Sequence, residues 1–198
     1  MNSQDLLSEH PNFASLDPKI RAQLNPLLEL RSYEAGEYLV RAGEPALYLI
    51  WLFSGVCREF YVTHEGNEYN KAFVVAGQVA GSLYDLKLET RSTAYIEFLQ
   101  PTCGAVMLFS DFTSLVEKDR LIRAIYYRMV EQLFLKKCKR EHDLLTLNAT
   151  ERYLSFCSQY PGIDQMVPLY HIASYLGISP EALSRIRRKL ALVDKDLP

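Results

Sequence analysis

Cysteine is scarce in this sequence and never paired closely. Four thiols stand at positions 57, 103, 138 and 157, with no C-x-x-C spacing among them. A zinc ribbon or an iron–sulfur centre needs close-spaced thiolates, so both are excluded and reduced, packed thiols are expected. The four histidines, His10, His64, His142 and His171, show no arrangement suited to axial haem ligation. No apolar run approaches the length of a membrane span. The first residues, Met1 to Glu9, lack the basic-then-apolar order of a secretory leader, so a cytoplasmic protein without a membrane partner is expected. An apolar content of 48% against 23% charged residues excludes wholesale disorder and suits a chain that buries a core.

What is present is divided unevenly. Residues 1–118 carry 9 Lys+Arg against 15 Asp+Glu, whereas residues 119–198 carry 13 against 9. An acidic front and a basic back imply separate tasks, the back meeting a polyanion. The texture divides in the same place. Asp17-Pro18 is a helix start, followed by Ile20, Leu24 and Leu27 on one face. From Ser32, β-branched and aromatic runs alternate with glycine turns: Tyr38–Val40, Leu47–Phe53, Val56–Thr63, Glu68–Val75, Ala94–Leu99 and Gly104–Phe109 read as strands. Gly77 and Gly81 read as a loop. About eight short strands at this spacing predict an antiparallel roll in an α+β protein.

After Ser110-Asp111 the period becomes helical. Phe112 to Glu117 reads as a short helix and Asp119 to about Leu145 as a long one. Its apolar stripe is wider than one partner needs. Ile122, Tyr126, Met129 and Leu133 step by 4, 3 and 4, the spacing of a two-helix coil, and are assigned to a homodimer seam. The basic run Lys136 to Arg140 is read as a solvated face, the alternative being a contact with DNA. Asn148-Ala-Thr-Glu151 resembles a capping box and starts a further helix. The domains predicted are a roll at 1–118, a dimerisation helix at 119–147 and a DNA-binding unit at 148–198.

Within that last unit, Val167 to Leu190 holds two short helical patterns joined at Leu176-Gly177-Ile178-Ser179. Gly177 suits the left-handed residue that ends a helix, Ser179 is an N-cap, and Pro180 fits the first helical position. Leu183, Ile186 and Leu190 face inward at helical spacing, while Ser184, Arg185, Arg187, Arg188 and Lys189 face out. This reads as a helix-turn-helix, the alternative being an αα-hairpin with a solvated basic face. The first turns of the second helix place Ser179, Glu181, Ser184 and Arg185 toward bases of double-stranded DNA, and Arg187, Arg188 and Lys189 toward phosphates.

Three motifs in this order resemble the Crp/Fnr family of bacterial transcription regulators: Gly36-x6-Gly43-Glu44, Tyr48-Leu-Ile with Ser54-Gly55-Val-x-Arg58, and Ile178-Ser-Pro-Glu181-Ala-Leu-Ser-Arg185-Ile. The resemblance spans nearly the whole chain. It implies a jelly-roll effector domain, a homodimer along the long helix, a pseudo-palindromic operator and RNA polymerase as a further partner. It also implies an effector site at Gly81, Ser82, Leu83, Arg91, Ser92 and Tyr126. Ser82 stands where cyclic-nucleotide-binding members carry an acidic residue for the ribose. A cyclic nucleotide is therefore disfavoured, and another small anionic effector or no ligand remains open. Family members often follow the second helix with a β-wing, whereas only Ala191 to Pro198 remain here, so the wing is expected to be reduced or absent. The competing class is a metal enzyme on a cupin-like roll, whose one hint is His64-x3-Glu68 across a hairpin tip.

Overall fold

The computed structural model describes residues 16–193, so the expectation about the wing falls partly outside the described residues. The chain divides into two compact units: residues 1–61 with 72–131, and residues 62–71 with 132–198. In the first unit, helix α1 (Pro18–Leu24) is capped by Asp17, whose carboxylate accepts from Lys19 N at 2.7 Å. Eight strands follow: β1 (Glu29–Tyr33), β2 (Tyr38–Val40), β3 (Tyr48–Leu52), β4 (Val56–Val62), β5 (Glu68–Val75), β6 (Val79–Ala80), β7 (Tyr95–Phe98) and β8 (Thr102–Leu108). They form two four-stranded sheets in the orders β1-β8-β3-β6 and β2-β7-β4-β5. Every strand pairing recorded between them is antiparallel, the arrangement of a roll.

Period-two alternation explains how β3 and β8 bury both faces. Ile50, Leu52 and Val106 join Cys57, Ile96 and Phe98 in the roll interior. Leu49, Ala105 and Met107 face the other way, into a second core with Ile20, Leu24, Leu86, Phe112 and Ile122 from the helices. Those helices are α1, α2 (Leu83–Leu88), α3 (Phe109–Lys118) and the start of α4 (Arg120–Thr146). Helix α2 replaces part of the loop expected around Gly77 and Gly81. Asp119 starts α4 by accepting from Leu121 N and Ile122 N at 2.8 and 3.1 Å. Gln23 and these two N–H groups hold its carboxyl below the usual range. Arg58, 4% exposed, pairs with Glu97 at 2.6 Å across β4 and β7 and lies 3.7 Å from the Phe60 ring centre. Its role in the quoted motif is thus a buried ion pair.

The second unit contains the rest of α4, then α5 (Ala149–Gln159), α6 (Ile163–Met166), α7 (Leu169–Leu176) and α8 (Pro180–Val193), together with the β4–β5 hairpin tip. The expected capping box is formed: Asn148 Oδ1 accepts from Thr150 N and Glu151 N, and Glu151 Oε2 accepts from Asn148 N at 2.9 Å. Among the described residues, no helix is long and apolar enough to cross a membrane.

Candidate nucleic-acid interface

The α7–α8 pair is built by local chemistry. Gly177 adopts φ 68 and ψ 38, and its N–H closes the last turn of α7. Gly177 N donates to Ala173 O and Ser174 O, and Ile178 N also donates to Ala173 O at 3.0 Å, so the carbonyls of that helix end are engaged. Ser179 Oγ accepts from Ala182 N at 3.2 Å and so caps α8. Ile172, Ala173, Leu176 and Leu183 are all buried and hold the two helices together. Arg152 ties the pair to α5 and α4, donating to Leu176 O at 3.0 Å and Leu147 O at 2.7 Å.

Opposite the buried face, Ser179, Glu181, Ser184, Arg185, Arg188 and Lys189 are exposed. Glu181, Ser184, Arg185 and Arg188 follow the spacing of one helical stripe. The Glu181 backbone N–H, the Ser179 hydroxyl and Arg185 hold the Glu181 carboxyl below its ordinary value. Arg187 is placed differently from its neighbours: its side chain is only a third exposed and its guanidinium pairs with Asp164 at 3.2 Å. It therefore joins α8 to α6 rather than reaching outward.

A group of residues that sequence reasoning passed over fixes α7 from behind. Asn70, 2% exposed at the hairpin tip, donates from Nδ2 to His171 O at 2.7 Å and from its N–H to Ser174 Oγ at 3.0 Å. Ser174 Oγ donates to Glu68 O at 3.1 Å. Arg140 donates to Asn70 O at 3.2 Å and Tyr175 O at 3.0 Å, with its guanidinium 4.6 Å from the Tyr175 ring centre. Lys136 lies over Tyr160 in the same way, at 4.7 Å. Half of the basic end of α4 is thus used in packing on aromatic rings. The residue pair His64 and Glu68 flanks this tip, and the Glu68 carbonyl is engaged by α7.

In the first unit, the residues assigned to an effector do not converge. Ser82 Oγ donates to Asp85 Oδ2 at 2.5 Å, and Thr93 donates to the same oxygen from N and Oγ1 at 3.0 Å each. Thr90 Oγ1 lies 3.5 Å from the other oxygen. Asp85 is fully buried. A carboxylate of the chain itself thus fills the donor-rich turn between Gly81 and Thr93, with Leu83 opening α2 there. Arg91 is exposed and donates to Gly43 O at 2.7 Å. Ser92 donates to Ala94 O at 2.7 Å, and Tyr126 packs edge-on to Phe112 with centroids 5.9 Å apart. The signal that could have found Asp85 is the Ser82-x-x-Asp85 spacing at a helix start, a capping-box pattern.

The seam assigned on α4 meets the chain's own core. Ile122 is 1% exposed within it, and Tyr126 and Met129 pack against it, while Leu133 is half-buried. The opposite side of α4 exposes Tyr127, Phe134, Leu135 and Leu145, which are 64%, 63%, 59% and 78% accessible. The spacing that assigned the seam to Ile122, Tyr126, Met129 and Leu133 does not distinguish that face from the other, because both carry apolar residues.

Comparisons place this architecture among known ones. No family model matches the chain, and a search of curated proteins gave no match. Solved structures do match. FixK2 of Bradyrhizobium japonicum is 18% identical, aligning 84% of this chain with 86% of that one at a TM-score of 0.71. The c-di-GMP-responsive global regulator CLP of Xanthomonas campestris is 20% identical over 90% and 93%, at 0.66. A protein from Eubacterium rectale described as a transcriptional regulator of the crp/fnr family is 13% identical over 92% and 87%, at 0.70. At these identities the likeness establishes the fold, that of Crp/Fnr regulators, from the roll through the helix-turn-helix.

Proposed function

We propose that this protein is a homodimeric, DNA-binding transcription regulator of Crp/Fnr type. The observation that carries the reading is the α7–turn–α8 pair, capped at both sides of its turn, with Glu181, Ser184, Arg185, Arg188 and Lys189 on the open face of α8. Glu181 and Arg185, at the start of α8, read base edges: a carboxylate accepts from a cytosine amino group, and a guanidinium donates twice to guanine. Arg188 and Lys189 lie further along and meet phosphates. The second copy docks on the exposed stripe of α4, where Arg128 and Glu131 are both exposed among Tyr127, Phe134 and Leu135. Neither makes an ion pair in its own chain among the described residues, so each is available to its opposite across a parallel coil. RNA polymerase is the further partner of the DNA-bound dimer. The Ser82 and Thr93 donors take no phosphate from solution, because Asp85 already uses them.

The test is a titration of Arg185→Ala and Lys189→Ala on a selected operator and on scrambled DNA at several salt concentrations. Arg185→Ala should cost roughly 1–3 kcal/mol per half-site and relax preference at one base pair. Lys189→Ala should weaken all sequences alike and flatten the salt dependence by about one unit per lost contact. Equal loss on operator and scrambled DNA for Arg185→Ala assigns that residue to phosphate and removes it from base reading.

A further inference from the structure

A groove of about 630 Å³ opens on the first unit between α2, the segment Pro45–Leu47 and α3. Its volume falls within the range of small-molecule sites, about 300–1,000 Å³. Leu86 and Phe109 form a buried floor, and Leu47 and Leu108, 47% and 36% exposed, leave apolar surface on the walls. Four charged side chains line it: Lys87, Glu89, Arg91 and Glu117. None of them makes an ion pair among the described residues, although both signs share one groove. Lys87 instead lies over the rings of Phe109 and Tyr126, at 5.8 and 5.4 Å. Arg91 is an exposed residue that donates from one guanidinium nitrogen to Gly43 O.

Glu89 stands out in its backbone conformation. It is the one residue other than glycine with positive φ among the described residues, at 54°, and it ends α2 in the left-handed conformation. That conformation disfavours residues with a Cβ, and positions 87 and 89, two apart, do not face each other at the end of a helix. A ligand bearing one charge would leave the groups of like sign facing it. A ligand bearing both charges on an apolar body answers all of them and covers Leu47, Leu108 and Phe109 as well.

We propose that this groove binds a small zwitterion with an apolar body, the size of a di- or tripeptide. Its carboxylate lies at Lys87 and Arg91, its ammonium at Glu117 and Glu89, and its side chains on the leucines and Phe109. Lys87 and Arg91 are different groups from the Ser82 and Thr93 donors that Asp85 fills, and Thr90 borders both. A bound carboxylate that draws Lys87 from the Tyr126 ring acts on α4 directly.

The experiment is calorimetric titration of the full chain, without DNA, with the dipeptide Leu-Phe, its N-acetyl derivative and its C-terminal amide. Because no DNA is present, the outcome is independent of the DNA-binding reading. The free dipeptide should saturate the wild type, and each capped form should bind about tenfold or more weakly, having lost one charged contact. In Lys87→Met/Arg91→Gln the free dipeptide and its amide should bind alike. In Glu89→Gln/Glu117→Gln the free and acetylated forms should bind alike. All four side chains are exposed, so both variants keep the fold, which their thermal melts verify. Absence of saturable binding at millimolar dipeptide, or binding that both variants leave unchanged, overturns the proposal.

Discussion

Replacing Asp85 by alanine should both destabilise the protein and create an anion site. The carboxylate is fully buried and accepts from Ser82 Oγ, Thr93 N and Thr93 Oγ1. Removing it leaves three donors facing a gap. Each buried orphan costs about 1–3 kcal/mol, but the two hydroxyls can rotate toward other acceptors, so the loss should be about 2–5 kcal/mol. That is a large share of the 5–15 kcal/mol typical of a folded domain, so the change is readable in urea unfolding. The same donors would then bind inorganic phosphate, which at 100 times its Kd returns about 2.7 kcal/mol. Urea midpoints are therefore measured for wild type and Asp85→Ala with and without phosphate, with chloride at matched ionic strength as control. Phosphate should raise the midpoint of the variant well beyond its general effect on the wild type. Equal shifts in both proteins, or a loss below about 1 kcal/mol without phosphate, would refute the claim that Asp85 occupies an anion site.

Four further outcomes follow from particular contacts. Phe134→Glu should give a stable monomer in analytical ultracentrifugation, whereas Met129→Glu should chiefly lower the urea midpoint, because Met129 packs on the chain's own core. Asn70→Ala should cost about 1–3 kcal/mol by leaving the His171 carbonyl without that donor, and should speed amide exchange in α7. Gly55→Ala should fail to fold or lose several kcal/mol, since φ is +83 and the new Cβ would overlap Thr102 Oγ1 and sit 2.8 Å from Pro101 O. Partial burial works against ionisation of Asp143, but hydrogen bonds from Lys139, Ser155 and His142 outweigh it and lower its carboxyl below the usual range. A lowered folded-state value gives stability that is present above the ordinary carboxylate range and lost as pH falls through the folded value. The stability gap between wild type and Asp143→Ala should therefore close in acid, near pH 4 and below.

The helix-turn-helix was legible because its determinants are local. Gly177, Ser179 and Pro180 act within one turn of where they stand, and their residue types name their roles. The strands were legible for a similar reason, since alternation and glycine turns are written along the chain. Helix α2 was not, because it is six residues long and held by a buried side-chain cluster around Asp85 rather than by propensity. Spacing assigned the dimer seam to Ile122, Tyr126, Met129 and Leu133, but α4 carries apolar residues on two sides, and the groups that pack on Ile122 and Met129 come from α1, α3 and β8, far off in sequence. Arg187 looked like its neighbours until α6 brought Asp164 to it. Asn70 gave no signal at all, because its partners are a backbone carbonyl and a serine more than 100 residues away.

The most direct test of DNA recognition by α8 is selection of binding sites from a random duplex pool, run with wild type and with Arg185→Ala. The wild type should enrich an inverted repeat whose half-sites lie about one helical turn apart, roughly 34–36 Å centre to centre, or a multiple of it. Arg185→Ala should enrich the same repeat with one base pair in each half relaxed. A pool that stays unenriched, or an identical enriched sequence from both proteins, would contradict the assignment of α8 as the reading helix.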